Sequence, residues 1–134
     1  TGTSGGWRMA DPQEWMLKMN ERADCLHVLT SGVRSRQTVE EMTMKVFQAA
    51  VEKRLSKILV DVRELYGYFG FTDINYLVRE IMQGLEGKGV EQVAVIDVKR
   101  TIGMGWFLES LAQSYGLNIR VFDEAESALL WLGE

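Results

Sequence analysis

Two carboxylates invite a chemical reading first. Asp61 and Asp97 lie at the ends of the apolar runs "KILVDV" and "EQVAVIDV", and the C-terminal ends of parallel strands are where α/β folds gather functional groups. On neighbouring strands they would stand roughly 5–10 Å apart by strand spacing, a separation that suits an acid and a base. The same residue type also closes turns by bonding to nearby backbone N–H groups, and no nucleophile accompanies either one. His27, the only histidine, sits in "CLHVL" on the face opposite Leu26 and Val28, the place of a structural or surface side chain. Cys25 is the only cysteine. It excludes an intrachain disulfide or a cysteine-cluster metal site and reads as a small buried hydrophobe. These residues form no catalytic constellation and call for no metal and no cofactor.

Other residues are suited to binding. In "VKRTIGMGWFLE" Gly103 and Gly105 give G-x-G at a strand-to-helix turn, where backbone N–H groups can cradle a phosphate. Position 108 is Leu, so the third glycine of the dinucleotide fingerprint is missing. Lys99 and Arg100 add positive charge beside a small anion site of this kind; turn glycines in a solvated loop give the same pattern. The stretch "LYGYFGFTDIN" places Tyr66, Tyr68, Phe69 and Phe71 between a strand and a helix. Such a loop either packs on the helix stripe or closes over a pocket or partner surface, because aromatics carry large apolar area. Thr72 or Asp73 caps the following helix, and Thr72 is a hydroxyl that a phosphate could modify at a favourable helix end.

The elements that position these groups are legible in the hydrophobic periodicity. From Trp15 to Val33, "WMLKMN" and "CLHVLTSGV" flank a polar turn and read as a hairpin. Val39, Met42, Val46, Phe47 and Ala50 then recur at helical spacing, with Thr38 and Glu41 as a capping box. "KILVDV" is a strand; Ile74, Leu77, Val78, Ile81, Met82 and Leu85 form a helix stripe ending at "GKG". "EQVAVIDV" is the next strand. Met104, Phe107, Leu108, Leu111 and Tyr115 mark a helix stopped by Gly116. "NIRVF" and "DEAESALLWLG" close the chain as strand and helix, with Asp123 and Glu126 as a second capping box. The expectation is an α/β domain with a mostly parallel sheet of about five strands and about four helices. Right-handed crossovers in sequential order place the helices on one face. Yet "ILVDV" and "VAVIDV" are apolar at odd and even positions alike, so both faces need cover. That cover comes from helices split between the faces, from the N-terminal segment, or from a second copy of the chain.

Bulk properties narrow the classes. With 134 residues, 46% hydrophobic and 25% charged, the chain suits one globular domain over residues 15–134. Residues 1–14 read as a flexible arm or an expression remnant. A net charge of −4 disfavours a nucleic-acid partner. No apolar run approaches the ~18–20 residues that span a bilayer, so there is no integral membrane segment and a cytoplasmic location is expected.

The segments "LTSGVRSRQTVEEM", "KILVDVREL", "QVAVIDV" and above all "NIRVFDEAESALLWL" resemble the STAS fold of the sporulation anti-sigma-factor antagonists, and more specifically the small stand-alone bacterial SpoIIAA-like domains. The likeness spans about residues 15–133. It implies a β/α superhelix that acts by binding a protein partner rather than by catalysis. In the sigma-regulating members a kinase phosphorylates a serine in an Asp-Ser-x-Gly segment at the second helix. Here "FTDINYL" has neither that serine nor that glycine, and Thr72 is the nearest hydroxyl. The superhelix is also similar to the lipid-carrying CRAL-TRIO domains. Two function classes follow: a regulatory protein-binding domain that also forms a homodimer, or a carrier of a small apolar or anionic ligand.

Overall fold

The computed structural model describes residues 15–98 and 102–134. β1 (Trp15–Arg22) and β2 (Cys25–Val33) form the antiparallel hairpin. The chain continues through α1 (Arg36–Glu52), β3 (Lys57–Tyr66), α2 (Phe71–Tyr76), β4 (Gln92–Ile96), α3 (Ile102–Ser114), β5 (Ile119–Phe122) and α4 (Ala125–Leu132). The five strands lie in the order β1-β2-β3-β4-β5, with β2 to β5 parallel.

Strand register explains the doubly apolar runs. Leu26, Ile58, Val93 and Ile119 form one cross-strand row, and Val28, Val60, Val95 and Val121 the next. Both rows face α1, α2 and α3, which the sequential crossovers place on this first face, and they form the main core with Val46, Ala50, Leu77, Val78 and Leu85. The alternate residues point the other way. There Cys25, Leu59, Ala94 and Ile96 pack beneath Ala128 and Leu132 of α4, with Phe122 and Trp131 beside them. The helices are therefore split three to one. α4 follows the last strand, has no further strand to reach, and is free to fold back over the second face. Towards β1 that face is mixed: Leu29 is 42% exposed in a row with Lys18 and Asp61.

Several boundaries differ from the sequence expectation, each for a local reason. α1 begins one turn earlier, because the capping pair is Ser35 and Thr38: Ser35 Oγ accepts the Thr38 N–H at 3.2 Å and Thr38 Oγ1 accepts the Ser35 N–H at 2.9 Å. The Thr38 hydroxyl, expected at the cap, instead donates to the Val33 carbonyl from inside the first turn. α4 is preceded by Glu124, whose side chain makes no capping bond, so Asp123 and Glu126 do not form the expected box. Gly133 does end α4, at φ 79°. β3 runs on to Tyr66, because the Arg34 N–H donates to the Tyr66 carbonyl at 2.7 Å; Leu65 and Tyr66 are strand, not loop. Register slips by one residue between Leu29 and Ser31 of β2, a bulge that bends the end of β3. The Thr30 hydroxyl accompanies the slip by donating to the Asp61 carbonyl at 2.8 Å.

The expected second helix is irregular. Its stripe is placed as read, but α2 passes into a π turn over Leu77–Ile81 and a 3₁₀ turn over Met82–Leu85. Gly70 is its cap residue, and its N–H donates to the Asp73 carboxylate at 2.9 Å. Thr72 is thus an exposed first-turn residue rather than the cap.

Candidate functional site

The first face of the sheet is lined by short, β-branched side chains: Thr30, Ile58, Val60, Val62, Val93, Val95 and Val121. Opposite them stand Met42 and Val46 of α1, Leu108 of α3, and the α2 segment with Ile74, Leu77 and Met82. Between these layers lies a cavity of about 410 Å³. The sheet and the helices above it do not close here because the strand side chains are small and the α2 segment departs from regular winding along the cavity wall. Such departures recur at functional sites.

The volume matters energetically. Protein interiors normally leave few voids larger than a water molecule. At about 24 cal/mol per Å³, a sealed void of this size would cost about 10 kcal/mol, comparable with the whole stability of a domain, about 5–15 kcal/mol. The cavity is open at one edge and does not carry that full cost, but it is larger than the voids of an ordinary core. Its apolar walls give water few hydrogen bonds, whereas its size falls within the roughly 300–1,000 Å³ of small-molecule sites.

The cavity reaches the C-terminal edge of the sheet, where Tyr66, Gly67, Tyr68 and Phe69 form its rim. Gly67 has φ 120°, and a Cβ there would stand 2.7 Å from the Arg34 carbonyl oxygen; glycine lets the chain turn back against the end of β2. The polar part of the rim is Arg34 and Asp97. The Arg34 guanidinium meets both Asp97 oxygens at 3.4 Å and donates to the Val62 carbonyl at 3.0 Å. Asp97 also accepts the Val98 N–H at 2.7 Å.

The residues singled out from sequence divide between this site and other places. Tyr66, Tyr68, Phe69 and Gly105 line the cavity. Phe71 stands beside it, edge-on to Phe107 with ring centroids 5.0 Å apart. Gly103 and Gly105 fall inside α3 rather than in a phosphate-cradling loop. A Cβ on Gly105 would stand 3.0 Å from the Val121 side chain, so this glycine lets α3 approach β5. Lys99 and Arg100 lie outside the described residues. Arg34 went unnoticed in the sequence; its partner is 63 positions away, and only the fold joins them.

Asp61 and Asp97 do not converge. Asp61 pairs in register with Ile96, so the next residue, Asp97, points to the opposite face. Asp61 is held by Arg63 at 2.7 Å on the second face, and Asp97 by Arg34 on the first. Burial works to raise the Asp61 carboxyl, but hydrogen bonds from the Arg63 side chain and amide outweigh it and hold it below the usual carboxylate value. An acid–base pair is not built here.

On the second face, burial pushes the Cys25 thiol up to about 11. Burial, with the Arg22 charge, lowers the pKa of His27. Among the described residues no helix is long and apolar enough to cross a membrane.

Comparison with known proteins agrees with this geometry. The family model described as SpoIIAA-like matches residues 25–133. No curated protein matches the chain. Among solved structures, an anti-sigma factor antagonist from Mycobacterium paratuberculosis is similar at TM-score 0.60 and 12% identity, over 94% of this chain and 100% of that one. An uncharacterized protein with a SpoIIAA-like fold from Shewanella loihica is similar at TM-score 0.56 and 18% identity, over 98% and 99%. At such identities these two likenesses establish the fold.

Proposed function

The chain belongs to the SpoIIAA-like family, and on that premise we propose that it is a non-catalytic regulatory domain that acts by protein contact at the C-terminal edge of its sheet. The observation that carries this reading is the set of large side chains left in water there. Tyr66, Tyr68, Phe71 and Trp106 are 64%, 80%, 52% and 76% exposed, on the end of β3, the rim loop and the first turns of α2 and α3. Clustered exposed aromatics mark contact surfaces, and tyrosine and tryptophan dominate binding energy at such surfaces. The separation of Asp61 from Asp97 supports the absence of catalysis. The Mycobacterium relative is named as an antagonist of an anti-sigma factor, which is itself a protein.

Self-association belongs to the same reading but with a changed basis. α4 supplies cover for the second sheet face, so a second copy is no longer required there. The aromatic edge is where a homodimer would form. Thr72 is exposed, yet Asp73 already takes the Gly70 N–H of the helix start, and the reading does not depend on a phosphate there.

The test is quantitative co-purification from the native cell, comparing the tagged protein with a Tyr68→Ser/Trp106→Ser double variant. The reading expects a stoichiometric companion, or a second copy, that the double variant loses while its circular dichroism stays unchanged. Identical companions with both proteins would overturn it.

The cavity of about 410 Å³ favours a second role, binding of a small, largely apolar molecule beneath the same edge. The Arg34–Asp97 pair cancels its own charge and offers a donor and an acceptor side by side at the mouth. That chemistry suits a hydrogen-bonding head on an apolar body.

A further inference from the structure

The second sheet face, remote from the cavity, carries a separate cluster. Cys25 and His27 are two apart on β2, so their side chains share this face. α4 closes with the Gly133 and Glu134 amides donating to the Leu130 and Leu129 carbonyls, the reversal that a left-handed glycine permits. The turn brings Glu134 back against the sheet, where its side chain is 15% exposed and lies 3.7 Å from Lys57. As a result, the Cys25 sulfur, a His27 ring nitrogen and a Glu134 carboxylate oxygen all lie within 4.8 Å of one another.

A second observation points to a ligand. Nε2 of His27 is buried with no hydrogen-bond partner among the described residues, although native proteins satisfy the large majority of such atoms. The Cys25 sulfur is also buried, with a long contact of 3.9 Å to the Leu26 carbonyl. A cation would engage both groups.

The donor set selects the ion. Thiolate sulfur disfavours magnesium and calcium, which take oxygen ligands, while sulfur, imidazole nitrogen and carboxylate oxygen together suit zinc. Three protein ligands leave one tetrahedral position for water. Charge also closes: a thiolate and a carboxylate neutralise a divalent ion, and the thiol proton leaves to solvent on binding. Lys57, now beside Glu134, keeps a second partner in Asp24 at 3.8 Å, so releasing Glu134 to a metal does not strand it. We propose that Cys25, His27 and Glu134 bind one zinc-class transition-metal ion that ties the end of α4 to β2. This goes beyond the protein-contact reading and is independent of it.

Cobalt(II) titration of the reduced, chelator-treated full chain tests the proposal. The chain has one cysteine and one histidine, so a sulfur-to-cobalt charge-transfer band can arise only from Cys25. The expected result is a band that saturates at one equivalent, releases one proton and is bleached by zinc. His27→Gln and Glu134→Gln should each weaken binding about tenfold or more with unchanged circular dichroism, and Cys25→Ser should abolish the band. No band, or a band equally strong in both the His27→Gln and Glu134→Gln variants, overturns the site. The latter would indicate adventitious thiol binding. If Cys25→Ser does not fold, the His27→Gln and Glu134→Gln variants still decide.

Discussion

Arg34 and Asp97 meet at 3.4 Å across the end of β3, joining the residue after β2 to the residue after β4 at the mouth of the cavity. Their side chains are mostly buried, at 16% and 13% exposure. Removing one partner leaves the other charge half-solvated, so Arg34→Met or Asp97→Asn should each cost about 1–3 kcal/mol. The double variant should cost less than the sum, because a pair removed together leaves no orphan charge. Urea unfolding of the four proteins in a double-mutant cycle measures this. Strict additivity would show that the pair does not interact.

Gly67 is the hinge of the rim. Ala at this position would combine an unfavourable φ with a Cβ pressed on the Arg34 carbonyl, and should destabilise the protein by about 1–3 kcal/mol. At Gly87, also at positive φ but with open space around it, the same change should cost less. Thermal unfolding of the two variants compares them directly.

The cavity makes an unusual prediction about Val95, at the centre of the first face. In a filled core Val→Phe costs about 1–3 kcal/mol through overpacking. Here Val95→Phe has empty space ahead of it, and should leave the unfolding midpoint unchanged or raise it. It should also remove any co-purifying small molecule seen as added mass in a native mass spectrum of the wild type. Loss of stability of the usual size would mean that the layers close around Val95.

Acid should find Asp61. Its carboxyl titrates below the ordinary 3.8 when folded, so its contribution is complete above that value and is lost as pH falls through the lowered folded pKa. Arg63→Gln, which takes away the guanidinium and leaves the amide bond in place, should move acid unfolding to higher pH. An unchanged acid midpoint would mean that the Arg63 contact is too exposed to matter.

Cys25 should be inert to alkylation. With its thiol raised to about 11 by burial, little thiolate exists near neutral pH, and labelling of the metal-free protein should proceed only at the rate of unfolding. Rapid labelling under native conditions would place the thiol in water.

The fold was largely legible, because strand rows such as Val28, Val60, Val95 and Val121 leave their mark as apolar runs that no loop would tolerate. Helix starts were less so. Thr38 and Asp123 both stand three residues before a glutamate, and that spacing alone did not reveal that Ser35 holds the real cap. Of the site, the aromatic rim was visible as composition, since Tyr66, Tyr68 and Phe69 are close in sequence. A pocket beneath that aromatic loop was one of two readings, but its reach between the sheet and α1, α2 and α3 was not legible, because a void is an absence of contacts and each stripe looks complete by itself. Arg34 and Asp97 were equally hidden, as were Cys25, His27 and Glu134, whose meeting depends on which way α4 folds back.

The most direct measurement is site-specific photo-crosslinking in the native cell, with a photoreactive phenylalanine at position 68 and, as control, at position 88. Lys88 is also exposed but lies at the opposite end of the sheet, in the turn before β4. The account predicts a discrete covalent adduct, to one partner protein or to a second copy, from position 68 and none from position 88. No adduct from position 68, or the same adduct from both, would contradict the claim that this domain acts through its aromatic edge.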